Sequence, residues 1–250
     1  MFAMHNPVTW IDPSGLVVIN SPRMREMLGL DHPMNPPPAA PTLPAITITR
    51  DGNNVSINAF VRFHGAGASY ARRRMVIEGI ISHWSGDRGS FYVSVNIVDI
   101  STGTHIRNPE RASLGIEIRN SAGRSHLYGI GADESLWSIT NPGTIVLYTH
   151  ICPLSSYRAG DRKTAAEFAW VGAHEFGHAL GIRDGWGFGA ANPDLGIGAT
   201  DFGNFYSMMV GWMHSVTELD IIFAIRAHNF DTWQSWSDNI WIVETFGTPR

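Results

Sequence analysis

An α+β fold is the class this 250-residue chain predicts. Two observations point to it. Short stretches alternate apolar and polar residues in the manner of half-buried strands, and longer stretches repeat apolar residues at helical spacing. Strands and helices follow one another irregularly, and no internal repeat of twenty residues or more is visible, which excludes solenoids and propellers.

The chain opens with a motif-like segment, residues 1–16, followed by a stiff extended linker over residues 17–44. The linker holds a short helix from Pro22 to Leu28 and then Pro33, Pro36, Pro37, Pro38, Pro41 and Pro44. A folded domain is expected from Ala45 to the end, residues 45–250. Ile46 and Ile48, then Val55, Ile57, Ala59, Val61 and Phe63, mark two strands of a hairpin around Asp51-Gly52-Asn53. From Ala68 to Trp84 the residues Tyr70, Ala71, Met75, Ile77, Ile80, Ile81 and Trp84 recur at helical spacing, and Ser85-Gly86 ends the run. Phe91, Val93, Val95 and Ile97 alternate next, as do Leu114, Ile116 and Ile118. Thr144 to Tyr148 forms an apolar strand after the turn Asn141-Pro142-Gly143.

A second long helix is expected from Thr164 to Leu180, its early face built from Ala165, Ala166, Phe168, Ala169 and Val171. A Gly-rich loop, Gly185 to Gly203, follows. Thr217 and Asp220 then form an N-terminal cap for a last helix through Ala227.

Composition narrows the function. With 44% hydrophobic and 16% charged residues the chain can bury one sizeable core, and its net charge of -4 offers no basic field for a phosphate backbone. Nucleic acid is therefore not the expected partner. Arg72, Arg73 and Arg74 form the one dense basic run and are read as the solvated face of their helix. The single cysteine, Cys152, excludes an internal disulfide and is read as a free structural thiol. No stretch approaches membrane-spanning length, and the N-terminus has no signal-peptide pattern. Trp233, Trp236 and Trp241 near the end are expected to pack back onto their own domain.

The chemistry is concentrated in His174-Glu175-Phe176-Gly177-His178-Ala179-Leu180-Gly181-Ile182-Arg183-Asp184. Histidines four apart on a helix share one face, so His174 and His178 can ligate one zinc ion. Glu175 is rotated off that face by one residue, where a general base can take a proton from a water that the metal acidifies. Gly181 can adopt a left-handed conformation that ends the helix and turns the chain back, so that Asp184 returns as the third metal ligand. Two histidines and one carboxylate leave a coordination position open, as catalytic zinc requires. Asp194, Asp201 and His214 are other candidates for the third ligand, at different spacings.

This string resembles the metzincin consensus HExxHxxGxxH, in the variant with aspartate last. Metzincins also carry a methionine turn beneath the metal, and Tyr206-Ser207-Met208-Met209-Val210-Gly211 looks like it, with Met209 at the position of the turn methionine. A metal-approaching tyrosine found in some members has no counterpart, since that position is Gly211. The resemblance implies a twisted mixed β-sheet with an active-site helix, a Met-turn and a C-terminal helix, and a zinc endopeptidase acting on protein or peptide substrates. It further implies that the strand Thr144 to Tyr148 is the sheet edge along which an extended substrate aligns.

A second resemblance lies at the start. Pro7-Val8-Thr9-Trp10-Ile11-Asp12-Pro13-Ser14-Gly15-Leu16 is similar to the PxxxxDPxGL signature that closes the core of RHS/YD-repeat proteins, its matched positions being Pro7, Asp12, Pro13, Gly15 and Leu16. The resemblance implies an upstream RHS core shell, a cut between Leu16 and Val17, and a C-terminal toxin that is secreted or delivered into a target cell as part of a larger protein. An immunity protein that plugs the cleft is expected from the same family. Two other functions stay open on the residues: a zinc-binding interaction module without hydrolysis, and RHS cargo of another chemistry such as a nuclease.

Overall fold

The computed structural model describes residues 43–101, 112–129, 137–155, 158–183, 208–209 and 215–234. The chain divides into two compact units, Met1–Ala40 and Pro41–Arg250, and all described residues belong to the second. The RHS-like residues Pro7, Asp12, Pro13, Gly15 and Leu16 lie outside them, as do the Pro22–Leu28 segment and all but the last of the linker prolines. Pro44 alone is described.

The fold is α+β with a mixed sheet. Alternation in the sequence becomes alternation in burial: in β2 (Asn54–His64) the residues Val55, Ile57, Ala59, Val61 and Phe63 are all buried. β1 (Ile46–Asp51) pairs antiparallel with β2 through a two-residue turn, Gly52-Asn53, in the expected hairpin. Beyond the reach of β1, Val61 to His64 pair in parallel with β5 (Leu114–Ala122), and on its other side β2 runs parallel to β4 (Phe91–Asp99). β7 (Thr144–His150) adds in parallel to β5. Two three-residue strands, β3 (Gly86–Arg88) and β6 (His126–Tyr128), close the two ends antiparallel, giving the order β3-β4-β2-β5-β7-β6 with β1 paired beside β2.

This order corrects one expectation. β7 is not the sheet edge, because β6 pairs with Thr144 to Val146 and becomes the outer strand among the described residues. Three residues are too few to show a period of two, so neither β3 nor β6 carries a pattern in the sequence.

Three α-helices are described: α1 (Tyr70–Trp84), α2 (Ala165–Ala179) and α3 (Glu218–Phe230). Each begins at a side-chain cap. Ser69 caps α1, and Thr164 with Glu167 and Thr217 with Asp220 form reciprocal capping boxes at α2 and α3. The last helix runs three residues past Ala227. α1 packs on α2 and β4, α2 also on β7 and β6, and α3 on β1. One continuous core joins them. It includes Trp84, whose indole N–H donates to Ala173 O (2.9 Å) and whose ring meets Phe176 edge-on, so that α1 holds the middle of α2.

The basic run is not simply a solvated face. Arg72 donates to Asn120 Oδ1 (3.2 Å), Arg73 pairs with Asp99 (2.9 Å) and Arg74 pairs with Glu78; of these only the Arg73 pair is partly buried. These three guanidinium groups tie α1 to the sheet and to itself. Among the described residues no helix is long and apolar enough to cross a membrane.

Candidate metal centre

The second half of α2 carries His174, Glu175 and His178, and its boundaries follow from the residues at its ends. Thr164 Oγ1 accepts from the Glu167 N–H, the Glu167 carboxylate accepts from the Thr164 N–H (2.7 Å), and Arg158 holds the other carboxylate oxygen (3.1 Å). At the far end Leu180 is the C-cap and Gly181 takes φ +88°. The Gly181 N–H then bonds His178 O (2.9 Å) and the Ile182 N–H bonds Gly177 O (3.2 Å), the paired bonds of a Schellman turn.

That turn has a chemical consequence. It brings Ile182 O back against His178, whose Nδ1 lies 2.8 Å from it, while His174 Nδ1 lies 3.0 Å from Met208 O. A carbonyl oxygen only accepts, so each Nδ1 donates there, which in a neutral imidazole puts the lone pair on Nε2. Metal-ligating histidines are commonly oriented in this way, by an outer partner on the nitrogen that does not ligate. The two rings are 5.0 Å apart between centroids and nearly perpendicular. The donor chemistry of this pair thus fits a divalent transition ion of the zinc type.

Each ring also lies against an indole. Trp170, one turn earlier on α2, stacks on His174 at 5.1 Å, and Trp233, from the segment after α3, stacks on His178 at 6.1 Å with planes 11° apart. Glu175 is buried beside them, between the two histidines in sequence. Met209 is fully buried and lies beneath the helix: a Cβ built on Gly177 would overlap its Sδ and come within 3.1 Å of Trp84. Gly177, the position before His178, is therefore small because the methionine occupies the space.

Asp184 lies outside the described residues, as do Asp194, Asp201, His214, the Gly185 to Gly203 loop, and Tyr206, Ser207, Val210 and Gly211 of the turn-like string. Among the described residues no group of three His, Cys, Asp or Glu forms a metal-holding cluster. Trp233 packs on its own domain, against Trp137 and Ala227, while Trp236 and Trp241 fall outside.

Three participants carry no signal in a linear reading. Met208 acts through its backbone carbonyl, which every residue possesses. Trp233 meets His178 only because the chain returns from 55 positions away. Lys163 is the third: its ammonium is half-buried and donates to Tyr148 O (2.6 Å) and His150 O (2.9 Å), pinning the end of β7 to the start of α2. Burial brings the Lys163 pKa down to about 8. Trp170 was missed as well, although its place four residues before His174 on the same helix face is a signal that could have found it.

The cluster behind His178 makes folding sensitive to acid. His228 on α3 is largely buried against Trp137, and burial lowers its pKa to about 4, against a smaller upward pull from Asp231. The folded state therefore keeps His228 neutral in the range where the unfolded chain protonates it. Its share of stability is present above about pH 6.5 and is lost as pH falls toward 4, on the order of 2–3 kcal/mol in total. Denaturation midpoints at pH 7, 5.5 and 4.5 should fall progressively for the wild type and more shallowly for His228→Phe. Parallel curves for the two proteins would remove His228 as the cause.

No known protein-family model matches the chain, and no curated protein matches it.

Proposed function

We propose that this domain is a zinc-dependent endopeptidase of metzincin-like design, carried as the C-terminal toxin of an RHS-type protein. The observation that carries the reading is the orientation of the two histidines, both with Nδ1 on a backbone carbonyl, as outer partners commonly orient metal-ligating rings. Supporting it are the order of elements, with strands, a helix, further strands, the histidine helix, Met208-Met209 and a last helix, and the packing of Met209 under Gly177.

In this reading His174, His178 and Asp184 hold the metal. When bound, zinc supplies Lewis acidity that lowers the pKa of water and polarises the scissile carbonyl. Glu175 takes the proton from the attacking water and returns it to the leaving amine. Because β6 is the outer strand among the described residues, and α2 packs against it, the substrate aligns by adding an extended strand beside β6. Tyr128, two-thirds exposed on β6, is available to a substrate side chain.

The test is incubation of the Val17 to Arg250 fragment with a diverse peptide mixture, new termini being read by mass spectrometry with and without a zinc chelator. New termini that vanish with chelator and return with added zinc are the expected result. Asp184→Ala should lose both zinc and cleavage; full zinc content and full activity in that variant would remove Asp184 from the ligand set. In the longer protein, cleavage between Leu16 and Val17 and co-purification of an inhibitory partner would test the RHS assignment.

A further inference from the structure

We propose that Trp233 is a positioning residue for the metal centre, holding the plane of the His178 ring from outside the helix that carries it. The inference rests on the proposed zinc site and adds to it a tertiary element. The terminal torsion of a histidine is broad, so the plane of its ring is set by the contacts around it. The bond from His178 Nδ1 to Ile182 O fixes one ring nitrogen, and the Trp233 indole, its plane 11° from parallel to the imidazole, restrains the tilt.

The same segment acts on the carbonyl as well as on the ring. The Gln234 N–H donates to Gly181 O (2.7 Å) and the Arg183 N–H donates to Gln234 O (3.0 Å), so two bonds bracket Ile182, whose oxygen holds His178. The segment is itself anchored. Trp137 meets Trp233 edge-on at 5.9 Å and donates its indole N–H to Ala179 O (3.3 Å), and Gln234 accepts from Arg226 Nε (3.3 Å) while its own amide donates to Thr232 O (3.0 Å).

The two histidines thus differ in what orients them. His174 is stacked by Trp170 from the same helix and takes only its Nδ1 partner, Met208 O, from outside it. His178 depends on a contact 55 positions away in sequence, so a defect at Trp233 touches one ligand and spares the other.

The experiment compares Trp233→Phe, which keeps a flat ring, with Trp233→Leu and Trp233→Met, which do not; the melting temperature of the metal-free protein selects an aliphatic variant that folds. Zinc affinity is measured by competition with a chromophoric chelator, and the visible absorption of the Co2+-loaded protein reports ligand geometry. The aliphatic variant should bind zinc about 10–100-fold more weakly and show altered Co2+ bands, with Trp233→Phe within about threefold of wild type. Equal affinities and superimposable Co2+ spectra in the Phe and aliphatic variants would overturn the positioning role. His178→Ala in the same titration separates the two readings. Wild-type zinc affinity in that variant sinks the metal site itself, whereas its loss there alongside wild-type affinity in the aliphatic variant sinks only the role of Trp233.

Discussion

Glu175→Gln is expected to lower peptide hydrolysis by about 10²–10⁴-fold while the protein keeps its zinc. Glutamine matches glutamate in shape, so the buried position next to His174 is filled as before, but an amide cannot take a proton from water. The variant thereby separates chemistry from metal binding, since Glu175 follows His174 by one position and stands off the face that His174 and His178 share. Specific activity on the best peptide from the mixture, set beside zinc content by atomic absorption, decides the matter. Undiminished turnover at full zinc content would remove Glu175 as the base. Intact toxicity in the inactive variant would move the domain to the interaction-module reading.

Gly181→Ala is expected to cost about 3 kcal/mol, lowering the melting temperature by roughly 6–12 °C. Two penalties meet at this one residue. Its φ of +88° is a conformation that a side chain strains, and a Cβ there would come within 2.6 Å of the Ala227 Cβ and 2.6–2.7 Å of the Trp137 ring. Both neighbours are packed into the cluster behind His178 and cannot yield cheaply. Asparagine tolerates left-handed backbone better than alanine, yet Gly181→Asn should not rescue, because its Cβ meets the same atoms. Thermal melts of the metal-free proteins read the stability term. Zinc affinity should fall in parallel, since the turn at Gly181 delivers Ile182 O to His178. Rescue by asparagine would mean that backbone strain, and not packing, makes glycine necessary.

Much of the candidate centre was legible because its determinants are local. A helix places His174 and His178 on one face by geometry alone, Thr164 can cap it, and Gly181 can end it in the conformation observed. The long strands were legible for the same reason, as β2 with its five buried alternate residues illustrates. β3 and β6 were not, being shorter than the pattern that would reveal them, and the resemblance that made β7 the sheet edge gave no sign of β6.

The sequence by itself determined an α+β chain, one histidine helix with its glycine stop, and the residue types that zinc chemistry needs. Tertiary structure decided which atoms orient those residues: Met208 O for His174, Ile182 O for His178, Trp233 over one ring, Met209 under Gly177, and β6 as the outer strand. The physical reason is that helical spacing is written into side-chain order, whereas a backbone carbonyl has the same chemistry at every position, and only packing selects the one that meets a given ring.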